Sequence, residues 1–133
     1  MKKLLQILIL ILCSCSIDSK ESGEKLSFRM LAVCDESTEN DFFLDSTVFV
    51  KNSDGSADAE LKMFWQCGMD SYLVAYKKED SLFINAESKQ KEKTTCICEA
   101  NLNVTIPKDF LDAKILVLNE LRSRPIGIVY REK

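Results

Sequence analysis

Hydrophobic and polar residues alternate with a period of two along most of the chain. Leu26, Phe28, Met30, Ala32 and Cys34 share one side, with Ser27 and Arg29 between them. Ala59, Leu61, Met63, Trp65 and Cys67 alternate with Glu60, Lys62, Phe64 and Gln66. Cys96, Cys98, Ala100, Leu102, Val104 and Ile106 alternate with Ile97, Glu99, Asn101, Asn103 and Thr105. Successive side chains of a strand point to opposite faces, so these runs predict strands with one face in a core and one in water. Shorter runs predict strands near Asp45 to Lys51, Tyr72 to Tyr76, Leu82 to Ala86, Ile115 to Leu118 and Ile126 to Tyr130. Turn chemistry separates them at Asn52-Ser53-Asp54-Gly55-Ser56, at Gly68-Met69-Asp70 and at Lys77-Lys78-Glu79-Asp80. Pro107 to Arg122 fits two descriptions. It reads as a strand after a short helical turn over Lys108 to Ala113, or as a helix carrying Phe110, Leu111, Ile115, Leu118 and Leu121. With the strand reading, about eight short strands follow one another between turns, the signature of an all-β sandwich or barrel. An antiparallel β-sandwich over residues 25–133 is the expected fold.

The N-terminus has a different pattern. Lys2 and Lys3 precede an apolar run from Leu4 to Leu12, broken only by Gln6. As a helix that run rises about 14 Å, roughly half a bilayer core, so it reads as a signal peptide rather than a permanent span. Ser16 to Glu24 is polar and reads as a flexible tether.

Charge and composition then narrow the function. The chain has 133 residues, with 18 Lys+Arg against 21 Asp+Glu and no histidine. Ser-His-Asp and Cys-His nucleophile sets are therefore closed, as are His-ligated metals. Loss of Lys2 and Lys3 with the signal leaves 16 minus 21, or −5, with no basic cluster, which argues against a nucleic-acid partner. No enzyme activity and no cofactor are expected.

Beyond Cys13 and Cys15, four cysteines remain: Cys34, Cys67, Cys96 and Cys98. An even number in an exported domain predicts disulfides. By the pleat, Cys96 and Cys98 face the core side, and Cys34 and Cys67 each end a core-facing stripe, so four thiols gather at one end. Residues two apart in a strand lie nearly 7 Å from each other, too far for an unstrained Cys96–Cys98 bond. Cys34 and Cys67 are each expected to bond one of that pair. Two structural disulfides lead; one disulfide with two free thiols and a Cys₄ zinc site remain open, though the Cys-x-Cys spacing is short for zinc. A thiol–disulfide exchange role at Cys96 and Cys98 is the alternative function, with Lys91 and Lys93 as the nearby cations.

Leu12-Cys13-Ser14-Cys15 resembles the lipobox of bacterial lipoproteins. The resemblance implies cleavage before Cys15 and acylation of its thiol, giving a signal peptide at 1–14 and a tether at 15–24. Two or more acyl chains anchor stably where one does not. Ser16 is not the aspartate that retains enterobacterial lipoproteins at the inner membrane, so the resemblance implies the outer membrane. Thr94-Thr95-Cys96-Ile97-Cys98-Glu99 and the residues up to Ile106 resemble a Cys-x-Cys strand of small uncharacterised lipoproteins of Bacteroides and relatives, where it opens a late strand of a β-sandwich.

Trp65, the single tryptophan, is expected in the core against a disulfide; a sugar-stacking platform is the other reading. Phe64, on the opposite face, is a candidate partner contact. The expected function is a non-catalytic binding or assembly module, held at the envelope membrane by lipid and meeting an envelope protein or a glycan.

Overall fold

The computed structural model describes residues 23–34, 46–68, 70–90, 96–119 and 124–133. The lipobox, Cys15, most of the tether, Lys91, Lys93 and Leu121 lie outside the described residues.

Among the described residues eight strands form: β1 (Glu24–Val33), β2 (Ser46–Lys51), β3 (Ala57–Gln66), β4 (Ser71–Lys78), β5 (Ser81–Ser88), β6 (Ile97–Ile106), β7 (Ile115–Leu118) and β8 (Ile126–Glu132). β1 begins at Glu24, one residue before the domain start read from sequence. Pro107 opens a short 3-10 helix, Lys108–Phe110, and β7 follows, so the strand reading holds over the described part of this stretch, residues 107–119.

The all-β class is as expected, but the sandwich is not. The strands make one closed barrel in the order β1-β4-β5-β7-β8-β2-β3-β6. Alternation determines which face of a strand is buried, and it does so equally for two stacked sheets and for one sheet curled on itself. Two parallel pairings produce the closure, and both are long-range: β2 runs beside β8 from Ser46↔Gly127 to Lys51↔Glu132, and β5 beside β7 from Ser81↔Ile115 to Ile84↔Leu118.

The barrel interior is the core. Leu61, Met63, Leu73, Ile84, Leu102 and Val104 are among the side chains that fill it, and Phe49 and Leu116 are wholly buried. β3 and β6 pair over ten rungs, from Ala57↔Ile106 to Gln66↔Ile97, and form its most regular wall. Tyr130 packs edge-on against Phe49 at 5.7 Å and donates its hydroxyl to the Ala113 carbonyl at 2.6 Å.

The two ends of the barrel differ. At one end the turns are tight. Gly55 takes φ +88 in the β2–β3 turn, where Asp54 Oδ1 accepts from the Ser56 N–H (2.9 Å) and hydroxyl (2.6 Å). The β4–β5 turn is two residues long, with Glu79 at φ +54. The Lys114 and Ile115 N–H groups both donate to the Asp80 carbonyl, tying that turn to β7. Lys77 Nζ donates to both oxygens of Asp112 (2.7 and 2.6 Å).

This hydrogen bond from Lys77 holds the Asp112 carboxyl below the usual aspartate range. A carboxylate whose folded value is depressed adds stability at neutral pH, and loses it as pH falls through that depressed value. The expected result of an NMR acid titration is a low Asp112 midpoint that returns to the ordinary range in Lys77→Met; an unchanged midpoint would remove Lys77 as the cause.

Candidate functional site

The other end is the mouth of the barrel, where β1, β3 and β5 finish and β4 and β6 begin. All four described cysteines are here. Cys34 follows β1 and bonds Cys98 (Cα–Cα 5.1 Å); Cys67 follows β3 and bonds Cys96 (Cα–Cα 5.4 Å). Each of Cys34 and Cys67 thus takes one member of the Cys-x-Cys pair. The pleat brings this about: Cys98 sits inside β6 opposite Trp65, while Cys96 lies just before the strand, opposite Cys67. Cys96 is therefore exposed, and the sequence expectation that it faces the core with Cys98 is corrected. Backbone bonds reinforce the staples, from the Cys34 N–H to the Glu99 carbonyl (2.9 Å) and from the Cys67 N–H to the Cys96 carbonyl (3.1 Å).

The two disulfides are neighbours. Cys34 Sγ lies 3.9 Å from Cys67 Sγ, and the sulfurs of Cys34, Cys67 and Cys98 all lie within 4.8 Å of one another. In this state each is bonded to sulfur and is not a thiolate, the form in which cysteine binds metal.

Trp65 is 5% exposed, and its ring meets Phe28 edge-on at 5.6 Å. It is a core residue beside a disulfide, and a buried ring cannot serve as a broad stacking platform. Phe64 points the other way and is half-buried. Both nevertheless contribute to one cavity of about 330 Å³ at the mouth. Gln66 of β3 and Ile97 of β6 extend the same wall; Asn85 to Ser88 of β5 form the wall opposite. Among the described residues no Lys or Arg lines the cavity, and the carboxylate among them, Glu87, accepts from the Tyr72 hydroxyl at 3.0 Å. That bond, more than burial, holds the Tyr72 phenol above its ordinary value.

Asn119 spans the cavity, and the sequence reading missed it. It follows β7 at φ +49, a region that asparagine tolerates better than most residues. Its N–H donates to the Ile84 carbonyl (2.9 Å), its Oδ1 accepts from the Ala86 N–H (3.1 Å), and its Nδ2 donates to the Phe64 carbonyl (2.8 Å). Asn119 therefore links β5 to β3 where, among the described residues, no strand lies between them. The available signal was an asparagine at the end of an apolar run, the position of a residue that stops a strand.

On the rim of the mouth, Lys89 pairs with Asp70 at 2.8 Å and joins the β3–β4 and β5–β6 connections. The mouth is thus a covalently braced rim around a small, mixed-polarity cavity. No protein-family model, curated protein or solved structure matches the chain.

Proposed function

We propose that the chain is a lipid-anchored envelope lipoprotein whose barrel is a non-catalytic binding or assembly module, with the mouth as its working end. The observation that carries this reading is the placement of the chain entry opposite the mouth. Ser27 sits on a rung with Thr105, and Thr105 with Asp58, close to where β3 starts and β6 ends. Glu24 lies three residues further from the mouth. A tether running from an acylated Cys15 would enter there and leave the cavity and its disulfides facing away from the lipid. Bracing of the rim suits recognition, because a site held rigid loses less entropy when it is occupied. An outer-membrane location follows from the lipobox resemblance and Ser16.

The experiment is intact mass of the protein taken from its own membranes, with and without reduction before alkylation. The expected mass is residues 15–133 plus acyl chains, with Cys34, Cys67, Cys96 and Cys98 unalkylated until reduction. An unacylated chain would remove the anchor from this reading.

The 3.9 Å between the sulfurs of the two disulfides favours a second reading, an envelope thiol–disulfide factor using Cys96 and Cys98. A thiolate released from one bond meets the other bond without chain movement on a large scale. Cycling of either bond in a mild glutathione buffer would support it; persistence of both until strong reductant is added would set it aside.

A further inference from the structure

The mouth is where two strands outrun their partners. Among the described residues, β2 accompanies β3 from Phe49↔Ala59 to Lys51↔Ala57, and β7 accompanies β5 as far as Ile84↔Leu118. Beyond those rungs β3 and β5 face each other across the cavity, bridged by Asn119. Strand parity fixes what comes next. The Cys67 N–H points to β6, where it donates to the Cys96 carbonyl, so Gln66, one residue earlier, turns its own N–H and C=O to the opposite side. The Phe64 carbonyl, two residues from Gln66, confirms the direction by accepting from Asn119. On the facing wall the Ala86 N–H is taken by Asn119, and its C=O points the same way as that N–H. Gln66 carries one more unmet demand: its Oε1 is buried and has no hydrogen-bond partner.

We infer that this slot takes a short extended polypeptide segment of a partner protein, laid in line with Asn119 between β3 and β5. The inference rests on the reading of the chain as a binding module and names its ligand class. The walls offer a donor (the Gln66 N–H) and acceptors (the Gln66 and Ala86 carbonyls and Gln66 Oε1). That mixture matches a peptide backbone, which brings one donor and one acceptor per residue and can add to a strand edge. Charge narrows the segment. With Glu87 as the charged side chain among the described lining residues, the slot suits neutral or basic residues over acidic or phosphorylated ones. At about 330 Å³ the cavity is at the low end for ligand sites, room for a few residues rather than a whole strand.

The test uses the full chain in detergent micelles, ¹⁵N-labelled, with two probes: a degenerate pool of end-capped hexapeptides and a pool of neutral oligosaccharides. The expected result is that the peptides shift the Gln66 and Ala86 amide signals and the sugars do not. Gln66→Pro should weaken peptide binding at least tenfold while melting within a few degrees of the parent, because it removes an N–H that no ladder uses. Gln66→Ala, which keeps that N–H, should bind within a few-fold. Should the proline variant fail to fold, a backbone N-methylated peptide pool on the parent chain carries the same test, with loss of the shifts expected. Shifts from the sugars alone would overturn the peptide inference and leave the binding module standing. Silence from both probes at the mouth would overturn both.

Discussion

Replacing Cys34 and Cys98 together by serine is expected to cost about 4 kcal/mol of stability, and the Cys67/Cys96 pair slightly less. The sequence separations are 64 and 29, and closing loops of that size in the unfolded chain accounts for roughly 4.3 and 3.6 kcal/mol in the chain-entropy model. The second loop lies inside the first, so removing both bonds should cost less than the sum. For a domain of this size, about 4 kcal/mol corresponds to a fall of roughly 15 °C or more in Tm. Trp65 supplies the readout, since it is buried on the rung opposite Cys98 and its fluorescence should change on unfolding. The loss should also be local before it is global. In the variant lacking Cys34 and Cys98, amide exchange should quicken first at position 34, whose N–H donates to the Glu99 carbonyl, while Leu102 and Val104 in the barrel middle stay protected. A cost below about 1 kcal/mol for either pair would mean that the unfolded chain is already compact around these residues, or that the strand ladders hold the rim without help.

That expectation was partly readable from the sequence, and the reasons are specific. Trp65 and Cys67 share a parity, as do Cys98 and Leu102, so the buried faces of β3 and β6 could be read directly from the pattern. The excluded Cys96–Cys98 bond followed from strand rise alone. The barrel did not follow. Pairing partners are set by which apolar faces meet in three dimensions, and nothing in Val48 and Phe49 announces that β2 will run parallel to β8, about 80 residues later. Parity also failed at the first residue of its run. Cys96 falls outside β6, beyond the last rung, where alternation no longer constrains a side chain. Met30 and Ala32 sit either side of an irregularity in the β1–β6 register, which periodicity cannot foresee because it inserts one residue into an otherwise unbroken run. The candidate site was legible in the same uneven way. Cys34, Cys67, Cys96, Cys98, Trp65 and Phe64 do converge on one end of the barrel, but Gln66 and Asn119 owe their importance to strands that stop short, and a missing partner leaves no mark in a sequence.

Asn119 shows how much depends on that missing partner. Asn119→Ala is expected to destabilise the barrel by about 3 to 4 kcal/mol. Two part-buried side-chain hydrogen bonds, to the Ala86 N–H and the Phe64 carbonyl, would be lost at about 1 kcal/mol each. The remainder is the cost of holding alanine at φ +49, about 1 to 2 kcal/mol. Asn119→Gly separates the two contributions, because glycine adopts positive φ without that cost and still lacks both bonds. It should therefore fall nearer 2 kcal/mol, though its greater freedom in the unfolded chain takes back part of the gain. Chemical denaturation gives the ordering, and amide exchange gives its location: the Ala86 N–H should lose protection in both variants, since its acceptor is gone in both. Equal costs for alanine and glycine would show that the backbone at this position is unstrained. Stability unchanged in both would show that β3 and β5 hold together at the mouth without the asparagine, and the seam between them would then be closed by the core beneath it, not by the side chain of Asn119.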